Sequence, residues 1–399
     1  MKDSFVLQRR ALIALTVVLF ALVTGCKQSP SPAADAGAAG SGATAAAEPI
    51  KIGEFASLTG SEAAFGQSSH KGTQLAFDEI NKAGGLLGRQ VMHLVEDNRS
   101  TAGESVTIVK KFISREKVVG ILGEVASGRS LEAAPVCQAA HVPMVSPSST
   151  NPKVTEIGDY IFRVCFIDPF QGKLLADFAA KTLKARKLAI LSDVSAPYSV
   201  GLAQFVREPF TAAGGEVVVE QKYTSKDKDF RAQLTAIKAA NPDAILVPGY
   251  YTEAGLVVAQ ARQLGITIPI FGGDGWEAPQ LIEIAGAALS NTFYSTHYSP
   301  EAKSAKVESF VKAFQAKFGG EIPDAMAALG YDSAMVLADA IRRAGSTDGA
   351  KVRDALAATK DYPCVTGKTT LDAQRNASKA AVIITVENGK FKYLQTIEP

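Results

Sequence analysis

The residues of this chain best suited to chemistry lie between Val118 and Pro152, in VVGILGEVASGRSLEAAPVCQAAHVPMVSPSSTNP. The run reads as a buried strand (Val118–Leu122), a small-residue loop (Gly123–Gly128) and a helix (Arg129–Ala140). A second strand (Val142–Val145) then leads into the turn Ser146-Pro147-Ser148-Ser149-Thr150-Asn151-Pro152. Two loops rich in hydroxyls and free backbone N–H groups thus follow two neighbouring strands, where open α/β sheets bind their ligands. Helix N-termini and turns in that place present unpaired donors, which suit a carboxylate or another small anion. The spacing offers no nucleophile with its base and no metal-ligand cluster. It suits holding a molecule, not changing one.

The elements that must position these loops fill a chain of 399 residues, long enough for two or three domains. Its 47% hydrophobic and 21% charged content is that of a globular protein. Much of the formal charge of +2 comes from Lys2, Arg9 and Arg10 near the start, so the body is close to neutral. That argues against nucleic acid, whose phosphates need a basic patch. The basic residues precede an unbroken apolar run, Ala11–Leu22, short for a bilayer span and suited to a secretory leader. It ends in Val23-Thr24-Gly25-Cys26, which resembles a bacterial lipobox, and implies a lipoprotein signal peptide over residues 1–26, cut just before a lipid-bearing Cys26. Residues 27–48 are mostly Ala, Gly, Ser, Pro and Thr, a composition that behaves as a flexible tether. The expected location is periplasmic or cell-surface, anchored to a bacterial membrane. Cys137, Cys165 and Cys364 remain, read as buried thiols, with Cys165–Cys364 the pair to consider if a disulfide exists.

The body alternates strand and helix twice. The first set includes Ile50–Ala56, a helix at Gly72–Ala83 stopped by Gly84-Gly85, Val91–Asp97 and the helix Ala102–Arg115. The second has strands at Leu188–Ser192, Glu216–Tyr223, Ala244–Pro248, Ile268–Gly272 and Thr292–Tyr298. Three helices follow, at Lys303–Phe318, Ala325–Ala344 and Gly349–Thr359, and a hairpin turning on Asn388-Gly389 closes the chain. This pattern predicts an α/β fold of two Rossmann-like lobes, each around a mostly parallel sheet, with a cleft between them.

KIGEFASLTG, AFGQSSHKGTQLAFDEINKAGG, VVGILGEVASG, VPMVSPSSTNP, FRVCFIDPFQG, LVPGYYTEAGLVVAQARQLG, FGGDGW and ALGYDSAMVLADAI stand in an order and spacing that resemble one family. It is that of the branched-chain amino acid (Leu/Ile/Val) binding proteins of bacterial ABC transporters, in the type I periplasmic binding fold. The resemblance implies lobes joined by three chain crossings, which we place near Cys165–Asp168, Thr296–Pro300 and Glu387–Lys390. Lobe 1 would then hold residues 49–165 and 300–386, and lobe 2 residues 168–296 and 390–399. It also implies that Ala126 and Ser127, with Ser148, Ser149 and Thr150, receive the α-carboxylate and part of the ammonium. Asp274 would take the ammonium from the second lobe, although many relatives carry Glu there. Tyr198, Tyr250 and Phe65 would form aromatic walls, with Tyr331 a further wall position or a core residue. For Trp276 the alternatives are pocket lid and surface packing, and Glu124 reads as a solvated carboxylate. The implied partners are an amino acid and the permease subunits of a transporter, for a monomer without a cofactor.

An enzyme is the first rival, but His70, His93, His141 and His297 lie in separate elements without HExxH, CxxC or GxSxG context. No G-x-G-x-x-G fingerprint marks a dinucleotide site either. Other rivals are a binder of amides, urea, aromatic acids or γ-aminobutyrate on the same fold, and a sensor that presents its closed form to a receptor.

Overall fold

The computed structural model describes residues 48–399; the leader, Cys26 and nearly all of the tether lie outside the described residues. Five strands come first: β1 (Ile50–Ala56), β2 (Val91–Asp97), β3 (Gly120–Leu122), β4 (Met144–Ser146) and β5 (Ile161–Arg163). They form one parallel sheet in the order β2-β1-β3-β4-β5. The second sheet repeats that order with β6 (Lys187–Asp193), β7 (Glu216–Tyr223), β8 (Ala244–Leu246), β9 (Ile270–Gly272) and β10 (Thr292–Thr296). After a short β11–β12 hairpin (Tyr362–Cys364, Gly367–Thr369), β13 (Ala381–Glu387) and β14 (Lys390–Ile397) extend the second sheet antiparallel beyond β10. The central strands are buried on both faces, as a parallel sheet under helices requires, whereas edge strand β14 is mostly open.

The helices are α1 (Ala63–Lys82), α2 (Glu104–Lys111), α3 (Ser127–Ala139), α4 (Lys153–Glu156), α5 (Asp168–Asp177) and α6 (Pro197–Ala212). They continue with α7 (Arg231–Ala239), α8 (Tyr251–Gln263), α9 (Gln280–Ala285), α10 (Ala305–Lys317), α11 (Ala325–Ala344) and α12 (Gly349–Ala357). One face of the first sheet packs its Ile50, Ile52, Leu122 and Val145 under α1 and α11. The other face packs Phe55, Ile121 and Met144 against α2 and α3. Helices α1 and α11 touch backbone to backbone: a Cβ at Gly72 would lie 1.9 Å from the Ala327 carbonyl oxygen. Across the same contact, one at Gly330 would lie 2.1 Å from that of Ser69.

The fold corrects the sequence reading in two places. Strand β13 hydrogen-bonds to β10, so residues 381–386 belong with the second sheet, and the third crossing precedes Ala381 instead of lying at Glu387–Lys390. A hydrophobic pattern alone cannot say which sheet a returning strand joins. Helix α1 starts at Ala63, not Gly72; Gly66 and Ser69, which look like loop residues, are small because Ser57 and Gly330 press against them. The three cysteines are free and buried, and burial pushes the Cys165 and Cys364 thiols up to about 12. No helix among the described residues is long and apolar enough to cross a membrane.

Candidate functional site

The order β2-β1-β3 reverses chain direction across the first sheet at β1 and β3, and the second sheet does the same at β6 and β8. Loops leaving the carboxyl ends of strands flanking such a switch point diverge and leave a crevice. Those loops meet here. Phe65 (after β1), Val125 and Ser127 (after β3), and Ser148 and Thr150 (after β4) face Tyr198 (after β6), Tyr250 (after β8), Asp274 and Gly275 (after β9). Met326, at the start of α11, completes the lining of a small cavity.

The first-lobe side is built from donors. Helix α3 starts at Ser127, and its first N–H groups have no acceptor inside the helix. The Thr150 hydroxyl is buried without a hydrogen-bond partner, and Ser127 Oγ accepts only from the Asn151 amide at 3.2 Å. Hidden contacts hold these loops rigid. Glu124 accepts from the amides of Ser57 (2.6 Å) and Ala126 (2.9 Å) and from the Asn98 side chain, so it is buried and not solvated as its sequence suggests. Ser149 turns away from the cavity and donates to the Glu124 and Val125 carbonyls. Arg163, fully buried, donates to the carbonyls of Ser149 and Pro152 and so clamps the SPSSTNP turn.

The second-lobe side is acidic. Asp274 Oδ1 accepts from Tyr198 Oη at 2.9 Å and Gln171 Nε2 at 2.8 Å, while Oδ2 lies 3.0 Å from His297 Nε2. The same His297 nitrogen is 3.4 Å from Ser148 Oγ. A Ser-His-Asp catalytic relay needs its serine and carboxylate on opposite ring nitrogens; sharing one nitrogen, this trio cannot pass a proton that way. The rings of Tyr198 and Tyr250 stack at 5.2 Å, and Phe65 meets Tyr250 edge-on at 5.6 Å. Direct bonds cross the cleft: the Ala64 amide donates to Tyr251 Oη at 3.1 Å, and Asn151 Nδ2 to the Pro197 carbonyl at 2.9 Å. The lobes are therefore closed on one another.

Seven of the residues expected from sequence line the cavity, namely Phe65, Ser127, Ser148, Thr150, Tyr198, Tyr250 and Asp274. Ala126 and Ser149 lie behind them as the cap of α3 and a loop strut. Tyr331 does not line it: its ring packs on Phe310 at 5.1 Å and its hydroxyl donates to Glu79. Trp276 is neither lid nor surface residue; it is buried, with its indole N–H on the Val247 carbonyl at 3.0 Å. Sequence reasoning missed His297, Gln171 and Met326, which carry no motif and reach the site only through the fold. It also found no metal-ligand cluster, whereas Glu54, His70 and His93 converge in space.

Asp168, at the start of α5, is buried, and neither carboxylate oxygen has a partner in hydrogen-bonding geometry. Burial first, then the like charge of Asp274, pushes its carboxyl up to about 8, against a smaller opposing pull from the Thr150 hydroxyl. Folding then tightens proton binding, so the group's contribution to stability is full below about pH 4 and is lost as pH rises through about 8. Asp168→Asn should therefore raise the melting temperature by a few degrees more at about pH 9 than at about pH 5. Equal shifts at both pH values in a melting experiment would show that Asp168 does not titrate this way.

Comparison with known proteins gives one consistent result. A family model described as "Periplasmic binding protein" matches residues 49–390. A leucine-binding protein, LivK, from Thermotoga maritima superposes with a TM-score of 0.85 at 42% identity, covering 88% of this chain and 99% of that one. The branched-chain amino acid transporter substrate-binding protein LivJ from Streptococcus pneumoniae, solved with isoleucine, gives a TM-score of 0.83 at 38% identity, over 88% of this chain and all of that one. A Leu/Ile/Val-binding protein, BraC3, of Rhizobium johnstonii is 34% identical over 324 residues, 80% of this chain and 87% of the relative.

Proposed function

Because the chain belongs to the periplasmic binding protein family, whose members bind substrates for transporters outside the cytoplasm, we propose that it captures a free amino acid with a branched aliphatic side chain and delivers it to an ABC transporter. One observation carries the reading. A single small cavity sets the Thr150 hydroxyl and the start of α3 on one wall, and the Asp274 carboxylate on the other. Neutral donors satisfy a carboxylate without burying a counter-charge, and a buried carboxylate suits an ammonium. Opposed walls of that kind fit a zwitterion. Phe65, Tyr198, Tyr250, Val125 and Met326 leave an apolar remainder for the side chain. The names of the Thermotoga, Streptococcus and Rhizobium relatives support the same ligand class.

In this reading the ligand is the bridge that favours closure: it bonds to both lobes only when they are together, and shifts the open–closed equilibrium accordingly. Lobe 1 would comprise residues 49–165 and 300–380, lobe 2 residues 168–296 and 381–399, and Cys26 would carry the lipid that keeps the protein beside its permease.

The test is a thermal-shift screen of protein unfolded and refolded to strip endogenous ligand, against the amino acids, γ-aminobutyrate, urea, short amides and benzoate. A ligand at a thousand times its Kd adds about 4 kcal/mol. The expected result is a shift with Leu, Ile or Val that Thr150→Ala reduces by about 1.5–3 kcal/mol of binding free energy, the usual cost of a hydrogen bond to a charged group. Shifts confined to ligands without an ammonium group would overturn the amino acid reading and leave the fold intact.

A further inference from the structure

Three side chains from distant parts of the sequence meet on the first sheet, outside the lining of the cleft. Glu54 lies in β1 and His93 in the neighbouring β2, where it pairs in register with Ile52, so both side chains rise on one face. Helix α1 passes over that face and lowers His70 onto them. Glu54 Oε2 is 2.8 Å from His70 Nδ1 and 2.7 Å from His93 Nε2. Donor atoms of all three lie within 4.8 Å of one another.

We propose that Glu54, His70 and His93 form a binding site for one divalent transition-metal ion, zinc above others. Two imidazoles and a carboxylate are a donor set that zinc uses, with the fourth position left for water. His70 Nδ1 meets the carboxylate oxygen in hydrogen-bonding geometry, whereas His93 Nε2, equally near, is out of line with it and is buried without a hydrogen-bond partner. On a tetrahedral zinc with bonds of about 2.0–2.1 Å, donor atoms stand about 3.3 Å apart, so each nitrogen needs to move only about half an ångström from the oxygen. Charge supports the assignment. The Glu54 side chain is 2% exposed, and among the described residues no lysine or arginine reaches it. A buried carboxylate whose partners are two imidazoles favours a cation beside it, either a protonated ring or a divalent ion held by all three groups. Entry lies on the His70 side, where that side chain is 27% exposed, while Phe77 packs on the His93 ring at 4.9 Å and closes the opposite approach. The ion would tie α1 to β1 and β2, beneath the helix that carries Phe65 to the cleft.

The competing arrangement is a metal-free triad in which both rings donate N–H to Glu54. To separate the two, untagged protein is stripped with a chelator and titrated by calorimetry with zinc chloride, and by absorbance with cobalt(II). The expected result is one ion per chain and the intense visible bands of four-coordinate cobalt. His93→Gln and His70→Asn should each weaken binding at least about tenfold and abolish the rise in melting temperature that zinc gives the parent. Cooperative melting in metal-free buffer checks that the variants fold. No uptake by the parent, a weak six-coordinate cobalt spectrum, or binding unchanged in both variants would overturn the site. The cobalt spectrum decides without any variant.

Discussion

Asp274→Asn is expected to weaken the binding of leucine, isoleucine or valine by about 2–5 kcal/mol, which is thirtyfold or more in Kd, while the protein stays folded. The substitution keeps the size of the side chain and one acceptor oxygen. That oxygen is still available to Tyr198 and Gln171, which now hold Oδ1 at 2.9 and 2.8 Å. What disappears is the only charged side chain lining the cavity among the described residues, and with it the partner proposed for an ammonium group. Calorimetry on the parent and the variant measures the change directly. The sign also discriminates between ligand classes. A ligand with a carboxylate and no ammonium is repelled by Asp274 and should bind the variant more tightly; an amino acid should do the reverse. Unchanged amino acid affinity would remove Asp274 from the ligand's first contacts and leave it as the anchor of Tyr198.

The second large effect concerns stability. Gly72→Val should lower stability by about 2–4 kcal/mol, and Gly72→Ala should also destabilise, read as a fall in melting temperature without ligand. Ordinary helix propensity predicts the opposite for alanine, a gain of about 0.8–1.0 kcal/mol over glycine. Packing outweighs it because the new Cβ would stand 1.9 Å from the Ala327 carbonyl, which belongs to helix backbone and cannot swing aside. The two helices would have to part, and Leu75, Ala76 and Leu329 would lose the contacts that bury them. A rise in melting temperature for Gly72→Ala would mean that the α1–α11 contact yields easily.

How much of this was legible in the sequence depends on range. Strands such as Ala244–Leu246 and Ile270–Gly272 could be found because burial on both faces leaves an unbroken apolar run. The last hairpin was visible in Asn388-Gly389, since both residues adopt the positive φ its turn needs. Cleft residues following strands could be placed because position relative to a sheet is itself a local signal. The failures all depended on what a residue meets far along the chain. Glu124 looked solvated because its partners, Ser57 and Asn98, come from other loops. Gly66 and Ser69 looked like loop because close approach by another segment, not a turn, demands small side chains there. His70 and His93 looked isolated because 23 positions of sequence conceal the register that brings them to one carboxylate.

The placement of α11 also bears on the order in which the chain can complete itself during synthesis. The sheet of β1–β5 is finished at Arg163, yet α11, which covers Ile50, Ile52 and Leu122, begins only at Ala325. Between them comes the whole parallel part of the second sheet, ending at Thr296. A nascent chain therefore holds every strand of its first sheet long before it holds the lid for one side of it. The half that is made first therefore waits for a helix made after most of the second, and seating that helix is a long-range loop closure.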